Sequence, residues 1–436
     1  MSEKHIQNLI IGFGKAGRAL AQQLSRHGEE VLIVERDQAM YGGTCPNVGC
    51  LPSKSLILSG LAGRSWEEAI NRRRAERELL RKGATGMALN EPLASAITAT
   101  ASFIDAKHVQ VGEDVYTADK IFINTGATPV IPDIKGVEYA ITSEEALDAD
   151  TLAKEFVIIG SGYVGLEFAG MYNSFGAHVT VLETYDSFLP REDEDVASEI
   201  LKDMKGLGIE FRFGVQVSEI TEEGVIVNGE LLKADKVLIA TGRKPNIDDL
   251  NLAAAGIEVE RGAIKVNDDL KTTAENVWAM GDVRGGGQFY YLSTDDFRII
   301  ADQFWGTQGY TRKLSDRVNV PYAVFINPTL ARVGLDEKQA KAAGVNYRLF
   351  KMAVAPIVKT KIIEDTRGLM KALVDPKTDE ILGATLYAPE AHENINLLSL
   401  AMKMHTPYKV FRDQIFTHPT FVEGLNDLFA AGNEVK

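Results

Sequence analysis

Long apolar runs are missing from this chain. No stretch approaches the roughly 18 residues that a membrane-spanning helix needs, so no spanning segment is expected. The opening residues, Met1-Ser2-Glu3-Lys4-His5, lead directly into a strand-like segment without a signal-peptide core or a cleavage site. The expected location is therefore the cytoplasm. Positive charge is in deficit: 47 Lys and Arg stand against 61 Asp and Glu, a net charge of −14. Nucleic acid and anionic membrane both require a positive surface, so neither is an expected partner. Cysteine is scarcer still. Cys45 and Cys50 are the only two in 436 residues. A secreted scaffold would carry more, and a close pair in a reducing compartment points to catalysis, redox sensing or metal binding. Zinc takes four ligands and no nearby His completes the set, so no metal site is expected. What remains is an ordinary globular composition, 45% hydrophobic and 25% charged, long enough for several domains.

The chain echoes itself. Residues 9–36 contain an apolar run, Gly12-x-Gly14-x-x-Gly17, a helical stretch, a second apolar run and Glu35. Residues 157–183 repeat the order with Gly160, Gly162, Gly165 and Glu183. Gly12 to Gly160 and Glu35 to Glu183 are both 148 residues. In such a unit the first glycine allows a tight turn, the second lets backbone approach a pyrophosphate, and the third lets helix and strand pack closely. Free N–H groups at the helix start hold phosphate, and the acid accepts from a ribose diol. One motif is weak support; two at equal spacing are strong. A second echo, Thr125-Gly126 and Thr241-Gly242, closes a strand in each half before a proline.

These repeats predict an α/β protein with two Rossmann-like dinucleotide-binding domains, the second inserted in the first, and a C-terminal α+β domain. The expected boundaries are 1–138 for the first part of the FAD-binding domain, 139–261 for the NAD(P)-binding domain, 262–316 for the returning part and 317–436 for an interface domain. Two sites suggest two cofactors, one a flavin. Glu183 favours the free 2′-hydroxyl of NADH, and Thr184-Tyr185-Asp186 supplies no arginine for the phosphate of NADPH, the alternative cofactor. Residues 64–83 read as a charged helix with Arg72, Arg73, Arg74, Arg77 and Arg81. They are taken as a solvated face, with a positive lining at the substrate entrance as the alternative.

The most specific stretch is Gly42-Gly43-Thr44-Cys45-Pro46-Asn47-Val48-Gly49-Cys50-Leu51-Pro52-Ser53-Lys54. One helical turn brings sulfurs at this spacing together. Pro52 suits the first turn of a following helix, whose dipole would favour a Cys50 thiolate.

These residues resemble the class I flavoprotein disulfide reductases, a family that includes dihydrolipoamide dehydrogenase, glutathione reductase and mercuric reductase. The resemblance spans essentially the whole chain. It rests on both glycine motifs, the dithiol, Ala-Thr-Gly-Arg-x-Pro-Asn (240–246), Met-Gly-Asp-Val (280–283) and His-Pro-Thr (418–420). Ile-Gly-Phe-Gly-Lys-Ala-Gly (11–17), Ala-Met-Tyr-Gly-Gly-Thr-Cys (39–45), Phe-Leu-Pro-Arg-Glu-Asp (188–193), Asp-Gln-Ile-Phe-Thr-His-Pro (413–419) and Leu-Asn-Asp-Leu-Phe (425–429) look closest to the bacterial reactive-chlorine-resistance flavoproteins. Members of that group are known as hypothiocyanous acid reductases, and cupric reductase activity has been attributed to it.

The resemblance implies residue roles. Cys50 faces the flavin and Cys45 attacks the acceptor. Lys54 lies near the flavin and pairs with Glu167, and Tyr163 gates the nicotinamide pocket. Asp282 holds the ribityl chain. The helix starting near Leu292 points at the flavin, while Gly43, Thr44, Ala101, Thr125 and Gly126 contact FAD. Gly242 falls with the NAD(P) contacts. His418 and Glu423 form an acid–base dyad that reaches the partner's active site, which implies a homodimer. The expected activity is NAD(P)H-driven reduction of a small oxidant, first of all hypothiocyanous acid. Dihydrolipoamide dehydrogenase, cupric or mercuric ion reduction and a non-catalytic flavin-bound sensor are the alternatives. The absence of further cysteines disfavours mercury and thioredoxin as acceptors.

Overall fold

A computed structural model describes residues 3–306, 312–431 and 434–435. Its contacts divide into two units. The first comprises 1–132, 141–151 and 241–316. Its sheet contains β1 (Glu3–Ile11), β2 (Val31–Glu35), β3 (Ala94–Thr98), β4 (Ala101–Phe103), β5 (His108–Val111) and β6 (Asp114–Ile123), in the order β3-β2-β1-β6-β5-β4. The strand Val277–Ala279 pairs in parallel with β6, Trp278 opposite Phe122. The late segment thus joins the first sheet through Val277–Ala279. Apolar runs such as Leu9-Ile10-Ile11 and Leu32-Ile33-Val34 are buried on both faces, as parallel strands covered on two sides require.

The helices of this unit carry its chemistry. Among them are α1 (Lys15–Arg26), α2 (Thr44–Val48), α3 (Cys50–Leu61), α4 (Trp66–Leu89) and the later helix Tyr290–Trp305. The start of α4 is capped by Ser65, whose side chain accepts from Glu68 N–H while Glu68 reaches back to Ser65.

The second unit comprises 133–140, 152–240 and 317–436. A parallel four-stranded sheet runs Glu210–Arg212, His178–Leu182, Glu155–Ile159, Lys236–Ile239 in spatial order. An antiparallel sheet covers Tyr322–Val324, Thr329–Gly334, Ile381–Ala388, Leu369–Val374, Arg348–Ala353 and Glu434–Val435. Helices Ala391–Lys403 and Gly424–Ala430 bury Ile395, Leu398, Leu425 and Leu428 in that region's apolar core. It is the α+β style expected from about 320.

The division differs from the sequence reading at several places: residues 133–138, expected with the first domain, fall in the second unit, and so does 317–436, expected as a domain of its own. Residues 241–261, expected with the second nucleotide domain, belong to the first unit. Arg243–Pro245 pairs antiparallel with Ala127–Pro129, and Leu250, Leu252 and Ile257 join the core around β1. Residues 141–151 also stay with the first unit, held through Asp148 by three arginines of α4. The helix does carry a solvated face, with Glu67, Asn71, Arg72 and Glu78 exposed, but Arg73, Arg74 and Arg77 do not belong to a free one: they turn to Asp148. Arg73 is buried, with Nη1 2.5 Å from Asp148 Oδ1; Arg74 Nε stands 3.0 Å from the same oxygen and Arg77 Nη1 2.9 Å from Oδ2. Desolvation drives this pairing, since a buried guanidinium without a carboxylate is costly.

Candidate active site

The two glycine motifs fold alike, down to single atoms. Gly12 has φ +104, and a Cβ there would stand 2.3 Å from Asn124 O. A Cβ on Gly17 would lie 2.9 Å from Gly12 O, and one on Gly165 2.1 Å from Gly160 O. Glycine is required where helix and strand meet this closely. Glu35 Oε2 accepts from Phe13 N–H at 3.0 Å, and Glu183 Oε2 accepts from Ser161 N–H at 3.0 Å. Phe13 and Ser161 occupy the same place between the first two glycines. Burial pushes the Glu35 carboxyl up, and amides from Phe13, Asp37 and Arg36 oppose this. A ribose diol would add donors to such a carboxylate.

These sites fit dinucleotides on a second observation. Gly14 immediately precedes helix α1 and Gly162 the helix Tyr163–Ser174, and both helices lack a side-chain cap and a first-turn acid. Each spans 12 residues. A Cβ built on Gly162 meets nothing within 4 Å, so its backbone faces open space. The helix Tyr290–Trp305, which carries Leu292, is likewise uncapped and without a first-turn acid. It begins two residues before the expected point. Uncapped N–H groups with a positive dipole suit anionic ligand groups. Asp282, in the turn Gly281–Arg284, is held up by burial, while Arg243 and Arg284 oppose the shift.

The dithiol sits where α2 meets α3. Cys45 is the second residue of α2, Cys50 opens α3, and Pro52 occupies its first turn as expected. No disulfide joins the two cysteines; Cys50 is exposed and Cys45 partly buried. The Cys45 side chain hydrogen-bonds Cys50, and this bond together with burial pushes its thiol far up. Cys45 thus keeps its proton while it stays paired with Cys50. Lys54 follows one turn later on α3.

Asn47 holds this turn. Its Nδ2 donates to Tyr41 O at 3.0 Å and to Gly43 O at 2.8 Å, and Arg81 Nε of α4 donates to its Oδ1 at 2.7 Å. Sequence reasoning missed Asn47 and the part played by Arg81. The signal available was a polar residue inside the Cys-x4-Cys spacer. It also missed Asn124, a buried residue donating to Gly12 O at 3.2 Å.

Thr125 and Gly126 lie directly after β6; Thr125 Oγ1 donates to Asn246 O at 2.7 Å, and Gly126 O accepts from Asn246 N–H at 2.9 Å. Gly43 has φ +86, a Cβ there would lie 2.8 Å from Gly14 Cα, and Thr44 opens α2. Ala101 is buried on β4. Gly242 lies in the first unit, its carbonyl accepting from Val130 N–H at 2.9 Å.

In the second unit, Glu167 Oε1 accepts from Phe325 N–H at 2.9 Å. Tyr163 opens the helix Tyr163–Ser174. His418 Nδ1 stands 2.8 Å from Glu423 Oε2, and Glu423 Oε1 accepts from Thr420 N–H at 2.9 Å. The Thr420 amide, then His418, hold the Glu423 carboxyl below its usual range. His418 is 63% exposed at its side chain. The two side chains are thus paired, with the imidazole largely exposed.

Among the described residues no helix is long and apolar enough to cross a membrane.

Over residues 6–296 the chain matches the family described as pyridine nucleotide-disulphide oxidoreductase, and over 320–429 that family's dimerisation domain. It is 42% identical over 436 aligned residues to the "Probable pyridine nucleotide-disulfide oxidoreductase RclA" of Escherichia coli (strain K12), across 97% of this chain and 98% of that one. Mercuric reductase of Lysinibacillus sphaericus is 31% identical, across 98% of this chain and 82% of that one. The solved Cu(II) complex of HOCl-induced flavoprotein disulfide reductase RclA from Escherichia coli superimposes with a TM-score of 0.94 at 41% identity. That superposition covers 98% of this chain and 99% of the solved one.

Proposed function

The chain belongs to the pyridine nucleotide-disulphide oxidoreductase family, and from that premise we propose that it reduces hypothiocyanous acid to thiocyanate at Cys45 and Cys50. It is an NAD(P)H-dependent flavoprotein oxidoreductase using FAD. The observation that carries the acceptor reading is the dithiol itself: two thiols in contact, one exposed, in the first turns of consecutive helices. A small electrophilic oxidant can reach such a pair directly. The likeness to a flavoprotein described as HOCl-induced supports a role under reactive chlorine stress.

FAD, when bound, passes two electrons from the nicotinamide to the cysteine pair. Everything else is the work of side chains. Cys45 thiolate attacks the sulfur of hypothiocyanous acid; an S–S bond forms to the thiocyanate sulfur and the oxygen leaves as water with a proton. Cys50 thiolate then attacks Cys45 sulfur, expels thiocyanate and closes the Cys45–Cys50 disulfide. The cysteines lose two electrons and the oxidant gains them. In a homodimer the His418–Glu423 dyad of the other subunit supplies the proton for the departing oxygen. Glu423, held ionised by Thr420 and His418, orients the imidazole for this. His418→Ala should therefore lower kcat with hypothiocyanous acid by about 10²–10⁴-fold while NADH still reduces the flavin at its normal rate. Rapid-mixing traces that separate the two half-reactions check this. Glu183 makes NADH the preferred donor, its carboxylate repelling a 2′-phosphate.

The acceptor is tested by NADH oxidation in rapid mixing, with hypothiocyanous acid, lipoamide and Cu(II) in parallel. Fast turnover with hypothiocyanous acid and little with the others supports this reading. Fast turnover with lipoamide alone makes the chain a dihydrolipoamide dehydrogenase. Turnover confined to Cu(II) makes it a metal-ion reductase.

A further inference from the structure

Glu192 lies in Phe-Leu-Pro-Arg-Glu-Asp (188–193), a segment to which nothing above gives a task. Its side chain is fully buried. Oε1 accepts from the Tyr163 hydroxyl in a short bond and from the Tyr322 hydroxyl at 2.5 Å. Arg332 Nη1 stands 3.4 Å from Oε2 and is anchored in turn 2.6 Å from Asp336 Oδ2. Arg332 also donates to Arg191 O at 3.0 Å and to Gln339 Oε1 at 2.8 Å. The Tyr163 and Tyr322 rings stack at 5.8 Å with 29° between planes, and the Arg332 guanidinium lies 5.8 Å over Tyr322.

Tyr163 differs from the other members of this cluster. It is the first residue of the helix Tyr163–Ser174, next to Gly162, whose backbone faces open space. Its ring is half-buried, as is that of Tyr322, whereas Arg332 and Glu192 are buried. A buried carboxylate must keep partners. Here Tyr322 and Arg332 remain as partners if Tyr163 leaves, so the Tyr163 bond can break without stranding the charge.

We propose that Glu192 is a positioning residue for the nicotinamide step: it latches the Tyr163 hydroxyl at the mouth of the second dinucleotide site, and Tyr322 and Arg332 keep the latch in place while Tyr163 swings out. The inference rests on the reading of Tyr163 as the nicotinamide gate. Burial holds both phenols protonated, with Glu192 adding to the effect, so both remain donors across the physiological range.

The experiment is anaerobic rapid mixing of NADH with the FAD-loaded enzyme, following flavin reduction. Tyr163→Phe keeps the ring and removes only the latched hydroxyl. It should raise the second-order constant for flavin reduction by about tenfold, the scale of one charged hydrogen bond. Glu192→Gln should move it the same way, and reoxidation of the reduced enzyme by acceptor should stay unchanged in both. Tyr163→Ala removes the gate altogether and separates the two ideas. A rise in Tyr163→Ala with none in Tyr163→Phe overturns the latch and leaves the gate standing. No rise in either overturns both. Because Tyr163→Phe retains the packing of the ring, a Glu192→Gln protein that fails to fold does not remove the test.

Discussion

Cys45→Ser is expected to bind FAD and accept electrons from NADH, yet reduce hypothiocyanous acid at least about 10³-fold more slowly, the scale of deleting a covalent nucleophile. The reason is chemical. A serine hydroxyl at this place is not ionised near neutral pH and makes no bond to an electrophilic sulfur. Cys50→Ser should behave differently. Cys45 can still attack once, but no second thiol resolves the adduct, so the variant should stall after a single turnover with thiocyanate sulfur on Cys45. Mass measurement of the stalled protein checks this: an added thiocyanate group on the Cys45 peptide is the expected result. Unaltered turnover in Cys45→Ser would remove the dithiol from the mechanism. The turn itself should survive either change, because Asn47 and Arg81 hold it without using the sulfurs.

Lys371→Met is expected to have the largest effect on stability. Lys371 is 1% exposed, with Nζ 2.8 Å from Asp193, 2.9 Å from Asp195 and 2.8 Å from Glu337. Methionine fills a similar volume but leaves three carboxylates facing one another without their shared cation. Breaking a buried ion pair on one side costs about 3–5 kcal/mol. The thermal midpoint should fall by at least about 5 °C. Adding Asp193→Asn and Glu337→Gln to the methionine variant should recover part of the loss, since it removes the repulsion. A variant as stable as the parent would contradict this account. The pH dependence follows the same network. Burial tends to lower the Lys371 ammonium pKa, but the hydrogen bonds it donates to three carboxylates raise it overall, so its contribution is present at neutral pH and fades only in strong alkali. Burial pushes Asp195 up, while Lys351 and Lys371 more than offset it and hold its carboxyl low. Its contribution is therefore complete at neutral pH and is lost as pH falls through the acid range.

What could be read from sequence, and what could not, divides by distance along the chain. The glycine motifs were legible because each demand is local. Gly12 must take a positive φ, and Gly17 must pass under Gly12 O within a few residues. The same holds for Cys45, Cys50 and Pro52, whose places on α2 and α3 follow from spacing. Arg73 was misread because its partner, Asp148, is 75 residues away, and nothing near Arg73 announces a buried carboxylate. Lys371 and Asp193 are 178 residues apart and were not paired. Residues 241–261 went to the wrong unit because hydrophobic pattern alone cannot tell which sheet a short strand joins. Here the pairing of Arg243–Pro245 with Ala127–Pro129 decides it. Glu192 is the extreme case: Tyr163, Tyr322 and Arg332 converge on it from 29, 130 and 140 residues away, and nothing in its neighbours along the chain announces them.

The central claim is that electrons wait on the Cys45–Cys50 pair before reaching the acceptor. The measurement closest to it is an anaerobic titration of the oxidised, FAD-loaded enzyme with NADH, following flavin absorbance and free thiols together. The account predicts that the first equivalent yields the dithiol with the flavin still oxidised, and that the flavin bleaches only with a second. In Cys45→Ser the first equivalent should bleach the flavin. Complete bleaching of the unaltered enzyme by one equivalent, with no gain of thiol, would contradict the account.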